Sequence, residues 1–286
     1  MSWDRRPRVQ ASQPFGSRLR AARIALGPLC VGLDPHPSLL QAWGLRDDVA
    51  GLEVFARTVV DALADRVSLL KPQMAFFERH GSRGVAVLEQ VVVDARSAGA
   101  LVLMDVKRGD IGSTMQAYAQ AYLDPRSALA ADAMTVTPYL GMGALRSTFD
   151  LANDSHAGVF VLARTSNPEG ASIQRAVCAD GSTVAEAVLR YVRAENAAAA
   201  PWGSVGVVVG ATVAEPVPDA DVGGPILAPG LGAQGAQAHD LLRVFGRAVS
   251  SVYPVAAREV LQAGPGVGAL RSAADRLREQ CAAVCG

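Results

Sequence analysis

Ala100-Leu-Val-Leu-Met-Asp-Val-Lys-Arg-Gly-Asp-Ile-Gly-Ser-Thr114 changes character halfway along. The first half is a continuous apolar run. That is the pattern of a parallel strand buried on both faces, where strict alternation would mark a sheet with one wet face. The second half is charged and leads into a helical pattern over Ser113–Leu123. Apolar strand, charged end, helix: the segment reads as one βα unit.

The same unit recurs on both sides. Apolar runs are found at Leu29–Asp34, Ser68–Lys71, Ala100–Val106, Ala133–Val136, Gly158–Ala163, Ser204–Gly210, Pro225–Pro229 and Ala248–Val252. Their starts are roughly 20 to 45 residues apart, a spacing that leaves room for a helix between strands. Helical periodicity fills the gaps. Leu52–Asp65 places Val54, Phe55, Thr58, Val59, Ala62 and Leu63 on one face, and Gly84–Ser97 and Thr183–Glu195 repeat the pattern. Further helices are expected at Gly143–Leu151, Gln234–Phe245, Val255–Gln262 and Val267–Val284, while Ala214–Gly224 reads as a loop replacing much of one helix. Eight such units predict an α/β chain folded as a single-domain (β/α)8 TIM barrel. The rival is a doubly wound open sheet, but no GxGxxG follows the first strand. Residues 1–14 are expected to be a flexible arm and 15–286 the barrel.

Composition narrows the function classes. The chain has 286 residues, 27 Lys+Arg against 27 Asp+Glu, and 50% hydrophobic residues. An even charge balance disfavours nucleic acid or an anionic membrane as partner, since both select a basic surplus. No apolar run approaches the roughly 18 residues of a membrane span. Met1–Pro14 has no apolar core of the kind a secretory signal needs. Cys30, Cys178, Cys281 and Cys285 have no partner set for zinc and read as reduced thiols, which points to the cytoplasm.

The basic residues carry more information. Of the 27, 25 are Arg and two are Lys, Lys71 and Lys107. A GC-rich genome explains the arginines but not why two lysines remain. An ammonium releases a proton and a guanidinium does not. In a barrel, chemistry lies at the C-terminal strand ends. The polar residues there are Asp34, Lys71, Asp105 with Lys107 and Asp110, Thr165 with Ser166, Gln234, and Arg258. Both lysines are in this set.

Each has a plainer reading. Asp105 and Lys107 are two apart on an extended segment, so they share a side and could simply close the barrel with an ion pair. Asp110 precedes a helix and could be its N-cap. Asp34 could be an Asp-Pro turn former. Pro229–Gly235 is Gly-rich and leads to a helix, a setting for phosphate on backbone N–H groups, and Arg258 would add a bidentate guanidinium. The histidines, His36, His80, His156 and His239, show no ligand spacing and read as loop or surface residues.

Asp105-Val-Lys-Arg-Gly-Asp-Ile-Gly-Ser-Thr114 resembles the DxKxxDIxxT signature of the orotidine 5′-phosphate decarboxylase family, in the DxKRGDIGxT form of its second bacterial group. The resemblance extends through Gly32–Pro37, Lys71–Glu78, Thr137–Gly141, Thr165–Gly170, Pro229–Gly235 and Ala257–Leu261. It is closest to actinobacterial-type sequences. It implies a homodimer with active sites shared at the interface, no cofactor and no metal. The substrate is then orotidine 5′-phosphate and the products UMP and CO2, the last step of de novo pyrimidine synthesis.

Carried over by position, Lys71, Asp105, Lys107 and Asp110 match the family's charged array, with Lys107 as proton donor. Asp110, Ile111 and Thr114 are expected to reach into the neighbouring subunit's site. Asp34 matches a ribose-hydroxyl ligand, Ser166 a pyrimidine contact, and Gln234 and Arg258 phosphate ligands. Ala257 departs from the Gly or Ser common before that arginine. Two alternatives stand beside this reading: a Mg-dependent sugar-phosphate lyase of the same superfamily, and a non-catalytic phosphate-binding barrel. The first calls for an acidic residue where this chain has Lys71.

Overall fold

The computed structural model describes residues 13–217, 219–232 and 235–286. The expected arm therefore lies almost wholly outside the described residues. Eight strands close into a parallel barrel in chain order. They are β1 (Cys30–Leu33), β2 (Leu69–Pro72), β3 (Leu101–Arg108), β4 (Ala133–Val136), β5 (Gly158–Arg164), β6 (Val205–Val209), β7 (Ile226–Pro229) and β8 (Val252–Ala256). Closure is made by β1, which pairs with β2 through Cys30 and Leu69 and with β8 through Cys30 and Val255. A closed barrel has no exposed strand edge.

The side-chain period of two divides each strand between two cores. Outward residues such as Val31, Leu70, Val102, Met134, Val161, Val207 and Ile226 pack against the helices. Inward residues Cys30, Leu69, Leu101, Leu103, Ala133, Phe160, Val208, Leu227 and Tyr253 form a separate interior cluster. Gly206 makes room there, since a Cβ on it would stand 2.7 Å from the Phe160 ring.

The bottom of this interior is sealed by a helix that the periodicity did not predict, Phe15–Leu26. Its Phe15 and Leu19 join the interior cluster. Gly158 permits the approach, because a Cβ there would lie 2.2 Å from the Phe15 ring. Three polar contacts lock the plug. Tyr253 Oη donates to the Leu19 carbonyl at 3.1 Å, Arg18 Nη1 meets Asp132 at 2.6 Å, and Arg18 Nη2 donates to the His156 carbonyl at 2.9 Å. With the lower end filled by side chains, the interior opens only at the upper end among the described residues.

Three expected elements are displaced, among them the helix expected over Val255–Gln262, which is only Arg258–Leu261 because Val255 and Ala256 belong to β8. The run Ala248–Val252 is mostly a 3-10 turn, Gly246–Ser251, and β8 begins at Val252. Pro254 lies inside that strand, opposite Ala228, and obscures it in sequence because a proline cannot donate to the ladder. The helix expected from Gln234 begins only at Asp240. Ala214–Gly224 holds no helix among the described residues, as expected. Cys30, Cys281 and Cys285 are free and buried.

Candidate active site

The inward face turns from apolar to charged on three neighbouring strands. On β3 the inward series is Leu101, Leu103, Asp105; on β2 it is Leu69, Lys71; β1 delivers Asp34 just past its end. Asp105 gathers three donors. Lys71 Nζ reaches its Oδ2 at 2.8 Å, while Lys107 Nζ at 2.6 Å and Thr135 Oγ1 at 2.9 Å reach its Oδ1. The lysines differ in setting: the Lys71 side chain is 6% exposed, and that of Lys107 is 47% exposed. One ammonium is locked into the barrel, and the other stands at the mouth.

Electrostatics fix the charge states. Burial works against a charged Lys71, but the carboxylates of Asp105 and Asp34 and the hydrogen bond to Asp105 outweigh it and hold its pKa above the ordinary lysine value. Burial likewise opposes ionised Asp105, yet Lys71 and Lys107 hold its carboxyl well below the usual range. Beneath them burial pushes the Cys30 thiol up to about 12, so it is no nucleophile.

Lys107 does not arrive by simple strand alternation. Its φ is +46°, in the left-handed region, and the β3–β4 register breaks between Met104 and Arg108. The neighbouring Arg108 turns outward, donating to Glu78 and to Tyr122 Oη and lying 5.2 Å from the Tyr118 ring centre. The strand end is thereby pinned from outside while Lys107 faces in.

A cavity of about 330 Å³ opens above the array. Asp34, Lys71, Asp105, Lys107, Ser166 and Arg258 all line it. Asp34 Oδ1 is buried there without a hydrogen-bond partner, an acceptor awaiting a donor. Arg258 stands exposed at the rim, with no acidic partner within 4.0 Å among the described residues. A cleft of about 600 Å³ elsewhere is lined by Asp47, Arg79 and His80, but there Arg79 is already paired with Asp47.

The other expected residues stand apart. Asp110, Ile111 and Thr114 do not line the cavity. Asp110 is not the N-cap: that position is Ile111, with no side-chain cap, and Asp110 Oδ1 accepts the Ile111 N–H at 2.8 Å. Ile111 is 63% exposed. Gln234 lies outside the described residues. The phosphate cradle also differs from expectation. The N–H groups of Leu231, Gly232 and Gly235 are spent on Val255, Ala236 and Gly232 carbonyls, and the next helix starts too late to add its N-terminus.

Four polar cavity residues were missed: His36, Gln73, Thr135 and Asn167. His36 is no bystander; its ring lies 4.3 Å from that of Phe76 beside the mouth. Gln73 is two residues past Lys71 and in contact with it at 3.5 Å, a spacing the sequence displays. Thr135 is the sole polar residue of Ala133–Val136, but a threonine inside a strand is too ordinary to stand out.

Comparison with known proteins gives a consistent picture. The sequence profile of the "Orotidine 5'-phosphate decarboxylase / HUMPS family" matches residues 27–273. The orotidine 5′-phosphate decarboxylase of Salinispora arenicola is 62% identical over 273 residues, covering 95% of this chain and 98% of the relative. That of Streptomyces coelicolor is 61% identical over 265 residues, 92% of this chain and 95% of the relative. A crystal structure from Streptomyces avermitilis, provisionally named as the same enzyme, superposes with a TM-score of 0.94 at 59% identity, covering 96% of this chain and 97% of the other. The OMP decarboxylase of Leishmania donovani superposes with a TM-score of 0.78 at 28% identity, covering 96% and 99%.

Proposed function

The chain belongs to the orotidine 5′-phosphate decarboxylase / HUMPS family, and from that premise we propose that it decarboxylates orotidine 5′-phosphate to UMP and CO2 through a carbanion at C6 that Lys107 stabilises and protonates. It is a carboxy-lyase. The observation that carries the mechanism is the Lys71–Asp105–Lys107 array, with a buried ion pair below and a half-exposed ammonium at the cavity mouth.

Loss of CO2 from C6 strands an electron pair in an sp2 orbital outside the ring's π system. The protein must oppose that charge with a fixed positive group and then supply a proton. Lys107 does both. Asp105 keeps it oriented, and Lys71 keeps Asp105 ionised. Asp34 takes a ribose hydroxyl on its unpartnered Oδ1. Ser166 contacts the pyrimidine, and Arg258 with Gln234 grips the phosphate. That grip is remote from C6, so its binding energy serves to orient the ring over Lys107.

Asp110, Ile111 and Thr114 act in the site of a second subunit. This part of the reading is supported by their absence from the lining of their own cavity and by large apolar side chains left exposed on the single chain. Ile111, Tyr139 and Leu140 are 63%, 74% and 51% exposed, large apolar side chains of the kind a homodimer interface would bury. No described helix is long and apolar enough to cross a membrane. A place in the cytoplasm, in pyrimidine synthesis, fits a nucleotide-forming enzyme of this kind.

The test follows loss of the orotate chromophore with purified protein, orotidine 5′-phosphate and EDTA. Wild-type protein consumes it, and Lys107→Ala is slower by at least about 10²–10⁴-fold, the range of a lost general acid. Loss of wild-type activity in EDTA would favour the Mg-dependent sugar-phosphate lyase. A wild-type protein that forms no UMP would leave the non-catalytic barrel.

A further inference from the structure

Thr135 has no part in the mechanism above, yet it is 1% exposed and touches the array from the neighbouring strand. Its Oγ1 accepts from the N–H of Val106 at 3.0 Å and from the N–H of Lys107 at 2.9 Å. A hydroxyl has two lone pairs and one proton. Both lone pairs are therefore taken, and the proton has one remaining acceptor, Asp105 Oδ1 at 2.9 Å. That is the same oxygen that holds Lys107 Nζ at 2.6 Å.

We propose that Thr135 is the positioning residue of Lys107, holding the lysine at both its ends. This deepens, and rests on, the decarboxylase reading. At the backbone end the hydroxyl satisfies the two N–H groups freed where the β3–β4 register breaks. It thereby stabilises a left-handed Lys107, a conformation a non-glycine residue keeps only when its surroundings impose it. At the other end it orients the carboxylate oxygen that aims the ammonium. No other side chain is hydrogen-bonded to both the Lys107 backbone and its counter-ion among the described residues.

The test compares wild type, Thr135→Val and Thr135→Ser in steady-state decarboxylation of orotidine 5′-phosphate. Valine keeps the shape and loses the hydroxyl; serine keeps the hydroxyl. Thr135→Val is expected to lower kcat by about 100-fold, the scale of a misplaced catalytic group, with KM within about twofold of wild type. Thr135→Ser is expected to keep kcat within about threefold of wild type. If Thr135→Val does not fold, Thr135→Ala removes the same hydroxyl without pressing a methyl on the two N–H groups. Full kcat without the hydroxyl, a serine variant as slow as the valine one, or a loss residing wholly in KM overturns the assignment. An inactive wild type instead overturns the decarboxylase reading, and this assignment with it.

Discussion

Asp105→Asn removes the one negative charge shared by two lysines, and its cost follows from who is left behind. Lys71 cannot leave: its side chain is 6% exposed. Its remaining contacts are Gln73 Oε1 at 3.5 Å and the field of Asp34. Asparagine offers one acceptor oxygen where the carboxylate offered two. Turned toward Lys71, that oxygen leaves the amide NH2 facing the Thr135 hydroxyl, whose lone pairs are already committed. Lys107, 47% exposed, escapes to water at little cost. Breaking a buried pair by removing one partner costs about 3–5 kcal/mol. At about 2 °C per kcal/mol for a chain of this size, melting should fall by roughly 6–10 °C at pH 7.

The pH dependence adds a sign. In the wild type, the lowered Asp105 pKa contributes stability that is present above about pH 4 and lost as pH falls toward its folded value. The raised Lys71 pKa contributes stability that is present below about pH 10 and lost above it. In Asp105→Asn, burial dominates and Lys71 sheds its proton on folding. The unfolded chain then binds more protons, so the deficit against wild type must shrink between pH 7 and pH 9.5. Circular-dichroism melts of both proteins at the two pH values measure this. A variant melting within about 2 °C of wild type at pH 7, or a deficit that grows with pH, refutes the reasoning.

Arg258→Ala should cost about 2–5 kcal/mol of transition-state binding, read as a fall in kcat/KM, with melting unchanged because the side chain is exposed; wild-type turnover would remove it from the phosphate site. Arg18→Met should cost about 3 kcal/mol or more in urea unfolding, because Asp132, 3% exposed, keeps only Arg96 at 3.5 Å and the Val102 N–H as partners. Mixing inactive Lys107→Ala with inactive Asp110→Ala should restore about a quarter of wild-type activity, since half the dimers are mixed and each carries one intact site under two-fold symmetry. No recovery on subunit exchange, in mixed dimers isolated through two different affinity tags on the two variants, would place Asp110 outside the shared site.

The fold was legible because the information is local. A buried parallel strand announces itself by an unbroken apolar run, and Leu101–Met104 could hardly read otherwise. The two lysines were legible because the chain uses arginine elsewhere and because both end such runs. The parity of β3 even put Asp105 on the same face as Leu101 and Leu103. Displacements arose where local rules conflict. Pro254 disguised β8, and after β7 the N–H groups of Leu231, Gly232 and Gly235 are taken by carbonyls of β8 and of the segment itself, with the next helix starting only at Asp240.

Sequence alone determined the succession of eight strands and marked Asp34, Lys71, Asp105, Lys107, Ser166 and Arg258, which the structure gathers around one cavity at the strand ends. Tertiary structure decided which distant surfaces meet. It brought Phe15 under the interior, set Thr135 against the turn at Lys107, and left Asp110 out of the lining of its own cavity. Periodicity reports which side of a segment is apolar, a property of neighbours in the chain. The aim of Lys107 depends on a hydroxyl 28 residues further along, brought near only when β3 and β4 align.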